Sequence, residues 1–261
     1  MPWDPALYLR FEQYRTRPPQ ELLARIDVDA PRTVVDLGCG PGNSTALLRA
    51  RWPRAQVLGV DSDDAMLEEA ARCYPNGIWK KGDVATWEPP SAVDVVFSNA
   101  TLHWLPDHGP LVQRLFGFVA DGGALAVAMP NNHAAPDHTL IDKLLSEGPR
   151  PARGFRLNQH QTVCAPTAYY DALAGAASRV DLWETQYHHV VDRAEDIVTW
   201  MSATGLRPAL EALGEQERDT FLAEYTKAIR DAFPTRADGR VLFPFRRLFF
   251  VAKRAPADRF G

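Results

Sequence analysis

Cysteine is scarce in this sequence of 261 residues, which contains only Cys39, Cys73 and Cys164. The three thiols are scattered without any paired spacing, so they predict neither a disulfide framework nor a zinc site, and they fit a reducing compartment. Cys39 stands inside a glycine-rich turn, where we expect a small filling residue rather than a catalytic thiol. No metal site is predicted.

Long apolar runs are also missing. No stretch approaches the ~20 apolar residues that a membrane-spanning helix needs, and the first residues lack the basic and apolar regions of a signal peptide. The formal net charge of -4 gives no reason to expect nucleic acid or an anionic membrane as a partner. We therefore expect a cytoplasmic protein, and the sequence leaves its oligomeric state open.

Strands and helices alternate between residues 32 and 130. The short apolar runs rich in β-branched residues predict buried strands, and the segments between them have the periodicity of helices. The predicted strands are 33–37, 56–60, 77–80, 93–98 and 124–129, with helices at 43–52 and 63–73. This alternation predicts an α/β fold with a Rossmann-like, doubly wound, mainly parallel sheet.

Further elements are predicted on both sides of this region. Two helices precede it, at 5–14 and 19–26. After it we predict helices at 137–147 and 167–174, a strand at 179–191, helices at 194–203, 208–213 and 216–233, and a final strand at 240–252. The helices at about 194–233 therefore form an insertion before the last strand, as a cap on a sheet domain would.

The strongest local signal is the run VVDLGCGPG at residues 34–42, which passes from the first strand into a helix. Its three glycines, Gly38, Gly40 and Gly42, permit backbone torsions that other residues avoid, so the chain can turn sharply and approach a ligand closely. The helix that follows presents N–H groups and a positive dipole end. The segment therefore predicts a nucleotide-binding loop.

The glycine spacing and two carboxylates, Asp36 and Asp61, indicate which nucleotide cofactor this loop binds. The dinucleotide fingerprint is G-x-G-x-x-G, whereas here the third glycine comes one residue earlier. Asp36, two residues before Gly38, suits a cationic ligand better than a pyrophosphate, and S-adenosylmethionine carries a sulfonium and an ammonium group. Asp61 ends the second strand, where a carboxylate can accept both ribose hydroxyls. The pattern predicts S-adenosylmethionine as the cofactor.

Other candidate residues follow the ends of predicted strands, where open α/β sheets bind ligands. Asp83 is positioned to accept from the adenine amino group, and Val84 to pack on its ring. His103 and Trp104 come soon after the fourth strand and are candidates for positioning the reacting groups. No certain catalytic residue is identified. The cofactor candidates in this part of the chain are Asp36, Gly38, Gly40, Gly42, Asp61, Ser62, Asp83, Val84 and Asn99.

These residues resemble those of the class I S-adenosylmethionine-dependent methyltransferases. Within that superfamily the chain resembles the trans-aconitate 2-methyltransferase family. The stretches that carry the narrower similarity are WDP at 3–5, RTRP at 15–18, NATLHWLPDH at 99–108 and ATGLRP at 203–208, and FPFRRLF at 243–249 is similar as well.

The resemblance implies methyl transfer to a carboxylate of trans-aconitate, a small polycarboxylate, giving a monomethyl ester. It implies a helical arm or lid at residues 1–30, with Tyr8 and Arg17 as cofactor contacts. It also implies a cofactor-binding core at 31–131, and a remainder at 132–261 that carries the substrate cap. Arg207 is the leading acceptor candidate, because its guanidinium can hold a carboxylate with two hydrogen bonds. Further acceptor candidates are Tyr170 and His188.

Rival functions remain open. The first is a methyltransferase for another small molecule, or for a carrier-bound carboxylate such as malonyl-acyl-carrier protein. A nicotinamide dehydrogenase would require the longer glycine spacing. A non-catalytic binding protein on the same fold is disfavoured by the glycine loop with both acidic partners. Arg246 and Arg247 are expected on opposite faces of the final strand, in structural pairs.

Overall fold

A computed structural model of the chain describes residues 12–147, 163–202 and 204–257. The described residues divide into two compact units. The first, here the sheet unit, contains residues 15–130, 163–185 and 248–257. The second, here the helical unit, contains residues 12–14, 131–147, 186–202 and 204–247. The predicted cap at 194–233 falls within the helical unit.

Seven strands form one sheet in the order β3-β2-β1-β4-β5-β7-β6. The order reverses between β1 and β4, which is the pattern of a doubly wound sheet with a topological switch point. The strands are β1 (Thr33–Leu37), β2 (Gln56–Asp61), β3 (Ile78–Lys81), β4 (Val93–Asn99), β5 (Val119–Pro130), β6 (Arg179–Val191) and β7 (Val241–Lys253).

The first five strands pair in parallel. Val34, Val35 and Leu37 of β1 are buried, as expected of a parallel strand covered on both faces. β7 runs antiparallel to β5, because Arg254 donates to the Gly123 carbonyl (3.0 Å) whereas Asn131 donates to the Arg246 carbonyl (2.8 Å). The predicted Rossmann-like, mainly parallel α/β sheet is confirmed.

Nine α-helices lie in the described ranges, and most coincide with predicted ones. Asp63 begins one of them by accepting from the backbone N–H groups of Ala65 (2.8 Å) and Met66 (3.4 Å). The helices are α1 (Glu12–Ala24), α2 (Asn43–Arg51), α3 (Asp64–Cys73), α4 (His108–Gly117), α5 (Pro136–Glu147), α6 (Pro166–Ala174), α7 (Ala194–Ser202), α8 (Arg207–Ala212) and α9 (Glu215–Ala232).

The prediction of two N-terminal helices is wrong over the residues that the structure describes. The interruption expected between residues 14 and 19 is absent, and α1 continues through Pro18 and Pro19. Proline lacks the N–H that an interior helical position donates, yet α1 is continuous at these two residues, and both prolines are buried. Residues 5–11 of the first predicted helix lie outside the described residues.

Two other differences concern the region between β4 and β5. The helix α4 was not predicted, although Leu111, Val112, Leu115 and Phe116 bury one face of it. β5 begins at Val119 instead of residue 124, and its register with β4 shifts between Val93 and Val95. Residues 121–123, which lie before the predicted strand, are therefore an irregularity inside β5.

Each unit has its own hydrophobic core. The core of the sheet unit is built from β1, β2, β4, β5, α4 and α6 together with the end of β7. The core of the helical unit gathers apolar side chains from α5, α7, α8 and α9 and from the beginning of β7. In the helical unit Arg246 is exposed and Arg247 is buried against the Phe245 ring at 5.7 Å, so they face opposite sides of β7 as expected.

None of the helices in the described ranges combines the length and the apolar character that crossing a bilayer requires.

Candidate functional site

The loop between β1 and α2 folds back onto the end of β2. The backbone N–H groups of Gly38 and Cys39 both donate to the Val60 carbonyl, at 2.8 and 3.0 Å. All three loop glycines have positive φ angles, +70° at Gly38, +53° at Gly40 and +90° at Gly42. Gly42 is the N-cap residue of α2 and makes no side-chain cap, so the loop leads into a helix N-terminus that can donate backbone N–H groups to a ligand.

Asp36 lies fully buried beneath this loop. Its Oδ2 accepts hydrogen bonds from the Ser44 hydroxyl at 2.7 Å and the Thr45 hydroxyl at 2.6 Å, whereas its Oδ1 has no hydrogen-bond partner. Burial raises the pKa of Asp36 to about 6, and the two hydroxyl bonds oppose that rise. The carboxyl therefore ties the start of α2 to β1 and places negative charge under the loop.

Asp61 is the last residue of β2, and its carboxylate is hydrogen-bonded to the backbone of the glycine loop. Its Oδ2 accepts from the backbone N–H of Gly40 at 2.8 Å, and its Oδ1 accepts from the N–H of Asp63 at 3.0 Å. Each carboxylate oxygen retains a further lone pair for a ligand. Ser62, the next residue, is exposed. The structure therefore brings the second predicted carboxylate into direct contact with the glycine loop.

Thr101, two residues after the end of β4, was not among the predicted residues. Its hydroxyl lies 3.1 Å from the Gly38 carbonyl and 3.2 Å from that of Asn99, so it can donate to either. The approach is close enough that a Cβ on Gly38 would stand 2.1 Å from Thr101 Oγ1. The neighbouring Ala100 has a positive φ of +56°. The positive φ of Ala100 and the close approach of Thr101 to Gly38 mark this segment as part of the site, and only the structure shows them.

The candidates after β3 and β4 differ in exposure. Asp83 is exposed, and its Oδ1 accepts from the N–H of Ala85 at 2.9 Å, the turn role that an isolated Asp often has. Val84 is buried in the sheet unit's core. Asn99 is half-buried and is the last residue of β4. Asp83 is therefore the only one of the three whose side chain is largely open to a ligand.

His103 and Trp104 lie on a short 3-10 turn, Leu102–Trp104. His103 is buried with its ring 4.7 Å from that of Trp104, which is exposed. A second histidine, His108, supports this turn, because its Nε2 lies within hydrogen-bond distance of the Leu102 carbonyl, at 2.9 Å.

The other ring nitrogen of His108 bonds to the buried Tyr169 hydroxyl. That hydroxyl also accepts from the backbone N–H of Cys164 at 3.0 Å. Burial lowers the pKa of His108, so the ring is neutral and holds the turn by hydrogen bonds rather than by charge. Neither His108 nor Tyr169 was predicted to support the turn that carries His103.

The remaining predicted contacts that the structure describes are exposed side chains. Arg17 lies in α1 and pairs with Glu21, with 2.7 Å between Nε and Oε1. Arg207 begins α8 and pairs with Glu211 at 2.8 Å. Tyr170 and His188 are exposed, and Tyr8 lies outside the described residues. Cys39 is buried, and burial raises the pKa of its thiol, as suits a filling residue.

The glycine-loop site fits S-adenosylmethionine. A buried carboxylate with one unpartnered oxygen suits a ligand whose charged end is cationic. A Cβ on Gly40 would have no neighbour within 4 Å, so the loop opens onto free space at that residue. Asp61 borders the same residue with a carboxylate able to accept ribose hydroxyls. These are the requirements that the sequence predicted for this cofactor.

Comparisons with known proteins agree with this geometry. A family model described as a methyltransferase domain matches residues 34–123, the region that contains the glycine loop, Asp61 and Thr101. A trans-aconitate 2-methyltransferase of Methylobacterium radiotolerans is 51% identical over 97% of this chain and 98% of its own length. A second one, from Azoarcus sp., is 48% identical over 97% of this chain and 99% of its own length.

Solved structures support the fold. The YcgJ protein of Bacillus subtilis superposes with a TM-score of 0.59 at 14% identity, covering 92% of this chain and 99% of that one. A phosphoethanolamine N-methyltransferase of Haemonchus contortus gives a TM-score of 0.56 at 14% identity, covering 92% of this chain and 52% of that one. The likeness to these proteins concerns the architecture alone.

Proposed function

Because the chain belongs to the family of trans-aconitate 2-methyltransferases, we propose that it transfers the methyl group of S-adenosylmethionine to one carboxylate of trans-aconitate and so forms a monomethyl ester. The observation that carries this proposal is identity of about half the residues along nearly the whole chain. The similarity therefore extends beyond residues 34–123, the part that the methyltransferase-domain model matches.

The acceptor needs little chemical assistance from the protein. A carboxylate is ionised at neutral pH and is its own nucleophile, so no general base is required. The bound cofactor supplies an electrophilic methyl group on a sulfonium. The residues of the chain have to align the acceptor oxygen with that methyl group and exclude water, and positioning of this kind accelerates reactions strongly.

The parts of the cofactor site have separate tasks in this proposal. Asp36 and Asp61 favour the cationic and ribose parts of the cofactor, and the glycine loop lets the backbone approach it. His103 and Trp104 are proposed to border the reacting groups, because they follow β4 on a turn that His108 holds in place. Asp83 is proposed to accept from the adenine amino group.

An acceptor panel tests the proposal. Purified protein is incubated with methyl-labelled S-adenosylmethionine and, in parallel, trans-aconitate, cis-aconitate, citrate, isocitrate or malonyl-acyl-carrier protein. We expect base-labile label, as an ester gives, with kcat/KM for trans-aconitate at least about tenfold above the other acceptors. Preference for malonyl-acyl-carrier protein, or label stable to base, would contradict the proposed acceptor and leave the methyltransferase assignment intact.

Arg207 is proposed to hold a carboxylate of the acceptor. Its guanidinium is half-exposed and pairs with Glu211 within the same helix, and exposed pairs of this kind exchange partners easily. We expect Arg207→Ala to raise KM for trans-aconitate while kcat and the Kd of the cofactor change little, because uniform binding is lost.

Glu211 supplies the control for this prediction. The Glu211→Gln variant removes the competing carboxylate without touching the arginine, so KM should stay the same or fall. If Arg207→Ala leaves KM unchanged, the assignment of Arg207 to the acceptor is wrong. Tyr170 and His188 remain proposed acceptor contacts, since both are exposed.

A further inference from the structure

A second group of polar side chains lies in the helical unit, directly after β5 along the chain. Asn132 and His133 follow the end of β5, and Asp137 and His138 form part of the first turn of α5. We call these four residues the polar cluster. Asn132, Asp137 and His138 are buried, and His133 is partly buried. None of them was predicted to have a function.

The side chains of the polar cluster contact one another. Asn132 Nδ2 donates to Asp137 Oδ2 at 2.9 Å, and His138 Nε2 lies 3.6 Å from the same oxygen. The rings of His133 and His138 meet edge to face, with 5.0 Å between their centroids. The four residues therefore form one connected group rather than separate buried polar side chains.

Five polar atoms of the cluster are buried without any hydrogen-bond partner. Native proteins satisfy nearly all buried polar atoms with protein, water or ligand partners. A concentration of unpartnered atoms in one group therefore indicates a polar partner that is not part of the chain. The five atoms are Asn132 Oδ1, Asp137 Oδ1, His138 Nδ1 and both ring nitrogens of His133.

The charge states restrict what that partner is. Burial lowers the pKa of His133 to about 4 and that of His138 to about 3, so both imidazoles are neutral near pH 7 and each carries one N–H. Burial raises the pKa of Asp137 to about 7. The contact between Asp137 and His138 is therefore not an ion pair, and Asp137 is about half protonated at pH 7, which reduces its repulsion of an anion.

The surroundings hold the cluster in place. Tyr225 of α9 donates its hydroxyl to the Asp137 carbonyl at 2.7 Å. Gly205 approaches from the segment between α7 and α8, where a Cβ would stand 3.0 Å from His138 Cε1 and 2.8 Å from Met201 Cε. Gly205 belongs to ATGLRP, one of the stretches that carry the family resemblance, so this stretch packs directly on the cluster.

Across the parts of the chain that the structure describes, no three His, Cys, Asp or Glu side chains are arranged to hold a metal ion. The two neutral histidines instead offer N–H groups, and a carboxylate is an acceptor that makes short, strong hydrogen bonds with such donors. The acceptor brings three carboxylates, of which the reaction consumes one.

We propose that the polar cluster binds a carboxylate of the acceptor, with one N–H each from His133 and His138 as donors and with Asn132 and Asp137 as positioning residues. This inference rests on the proposed function, because it takes trans-aconitate as the ligand. According to this inference, the specificity for a polycarboxylate depends on the uncharged N–H donors of His133 and His138 as well as on the guanidinium of Arg207.

Nitrogen NMR of the wild-type protein tests the contact directly. The protein is labelled with 15N-histidine, saturated with S-adenosylhomocysteine and titrated with trans-aconitate, and the signals are assigned with His133→Gln and His138→Gln. We expect the side-chain signals of both residues to move along a saturable curve and their N–H protons to exchange more slowly. Tricarballylate, which has the carboxylates without the double bond, should give the same shifts.

Kinetics of the variants provide the second readout. His133→Ala and His138→Ala should each raise KM for trans-aconitate by about tenfold or more, as expected for loss of a hydrogen bond to a charged group. The Kd of S-adenosylhomocysteine, measured by calorimetry, should stay within about twofold of wild type. Lys143→Ala is the matched control, because it alters an exposed residue of the same helix.

The outcomes separate this inference from the proposed function. If wild-type protein methylates trans-aconitate while the two histidine signals stay fixed at saturation, the cluster does not bind the acceptor and the proposed function stands. Weakened binding of S-adenosylhomocysteine by the variants would also overturn the inference, since the cluster would then serve the cofactor. If wild-type protein does not methylate trans-aconitate, the proposed function itself is wrong.

Discussion

Gly38→Ala is expected to abolish cofactor binding and to lower the melting temperature, whereas Gly40→Ala should lose binding with a smaller loss of stability. Both glycines have a positive φ, +70° and +53°, a conformation that costs an L-residue about 1–2 kcal/mol. They differ in their neighbours. A Cβ on Gly38 would stand 2.1, 2.2 and 2.6 Å from three atoms of Thr101, whereas one on Gly40 would meet nothing within 4 Å.

The clash at Gly38 has to displace the segment that follows β4. Thr101 is held there by its contacts with the Gly38 and Asn99 carbonyls, so the substitution also breaks a link between two strand ends. Overpacking of this kind adds about 1–3 kcal/mol, and the two effects together lower the melting temperature by about 5–10 °C in a chain of this length. Thermal unfolding without ligand measures the loss, and calorimetry with S-adenosylhomocysteine measures binding.

A double variant separates the clash from the backbone strain. Gly38→Ala/Thr101→Gly removes all three overlapping atoms and should recover part of the lost melting temperature, leaving mainly the cost of the positive φ. If Gly38→Ala and Gly40→Ala lower the melting temperature equally, the close approach of Thr101 is not what requires glycine at residue 38.

The strands of the sheet were the most predictable part of the fold. β1 (Thr33–Leu37) and β6 (Arg179–Val191) begin and end at the predicted residues, and β2, β3, β4 and β7 agree to within one residue at each end. For β1, β2 and β4 the physical reason is that buried parallel strands are apolar on both faces, so their sequences differ sharply from the loops around them. The glycine loop was equally predictable from the sequence, because its three positive φ angles require residues that tolerate them.

The errors arose where packing outweighs local preference. α4 begins with His108, Gly109 and Pro110, which are poor helix formers, and it forms because its apolar face is buried against the sheet unit's core. α1 continues through two prolines that usually interrupt a helix. Tertiary contacts decide both cases, and a local pattern does not contain them.

The polar cluster shows a different limit of sequence reasoning. Asn132, His133, Asp137 and His138 are close in sequence, but nothing in the sequence says that they are buried or that their polar atoms lack partners. That state depends on Tyr225 and Gly205, which come from distant parts of the chain. The same holds for Thr101, whose importance follows from its distance to Gly38.

Asp61→Ala is expected to raise the Kd of S-adenosylmethionine by about a hundredfold or more. The Asp61 carboxylate is proposed to accept two ribose hydroxyls, and loss of hydrogen bonds to a charged group weakens binding by about 1.5–3 kcal/mol each. The same carboxylate accepts the N–H groups of Gly40 and Asp63. The variant therefore also releases the glycine loop from the end of β2, which removes part of the preorganisation of the site.

Replacement of Asp61 by Asn separates the effect of the carboxylate's charge and acceptor oxygens from the effect of its shape. Asn keeps one carbonyl oxygen but presents an NH2 group in place of the other, so it cannot accept from both Gly40 and Asp63. We expect Asp61→Asn to weaken binding nearly as much as Asp61→Ala. Asp64→Asn is the matched control, because that exposed carboxylate pairs with Lys81 outside the loop. Calorimetry that finds the cofactor bound equally well by Asp61→Ala and wild type would exclude Asp61 as the ribose acceptor.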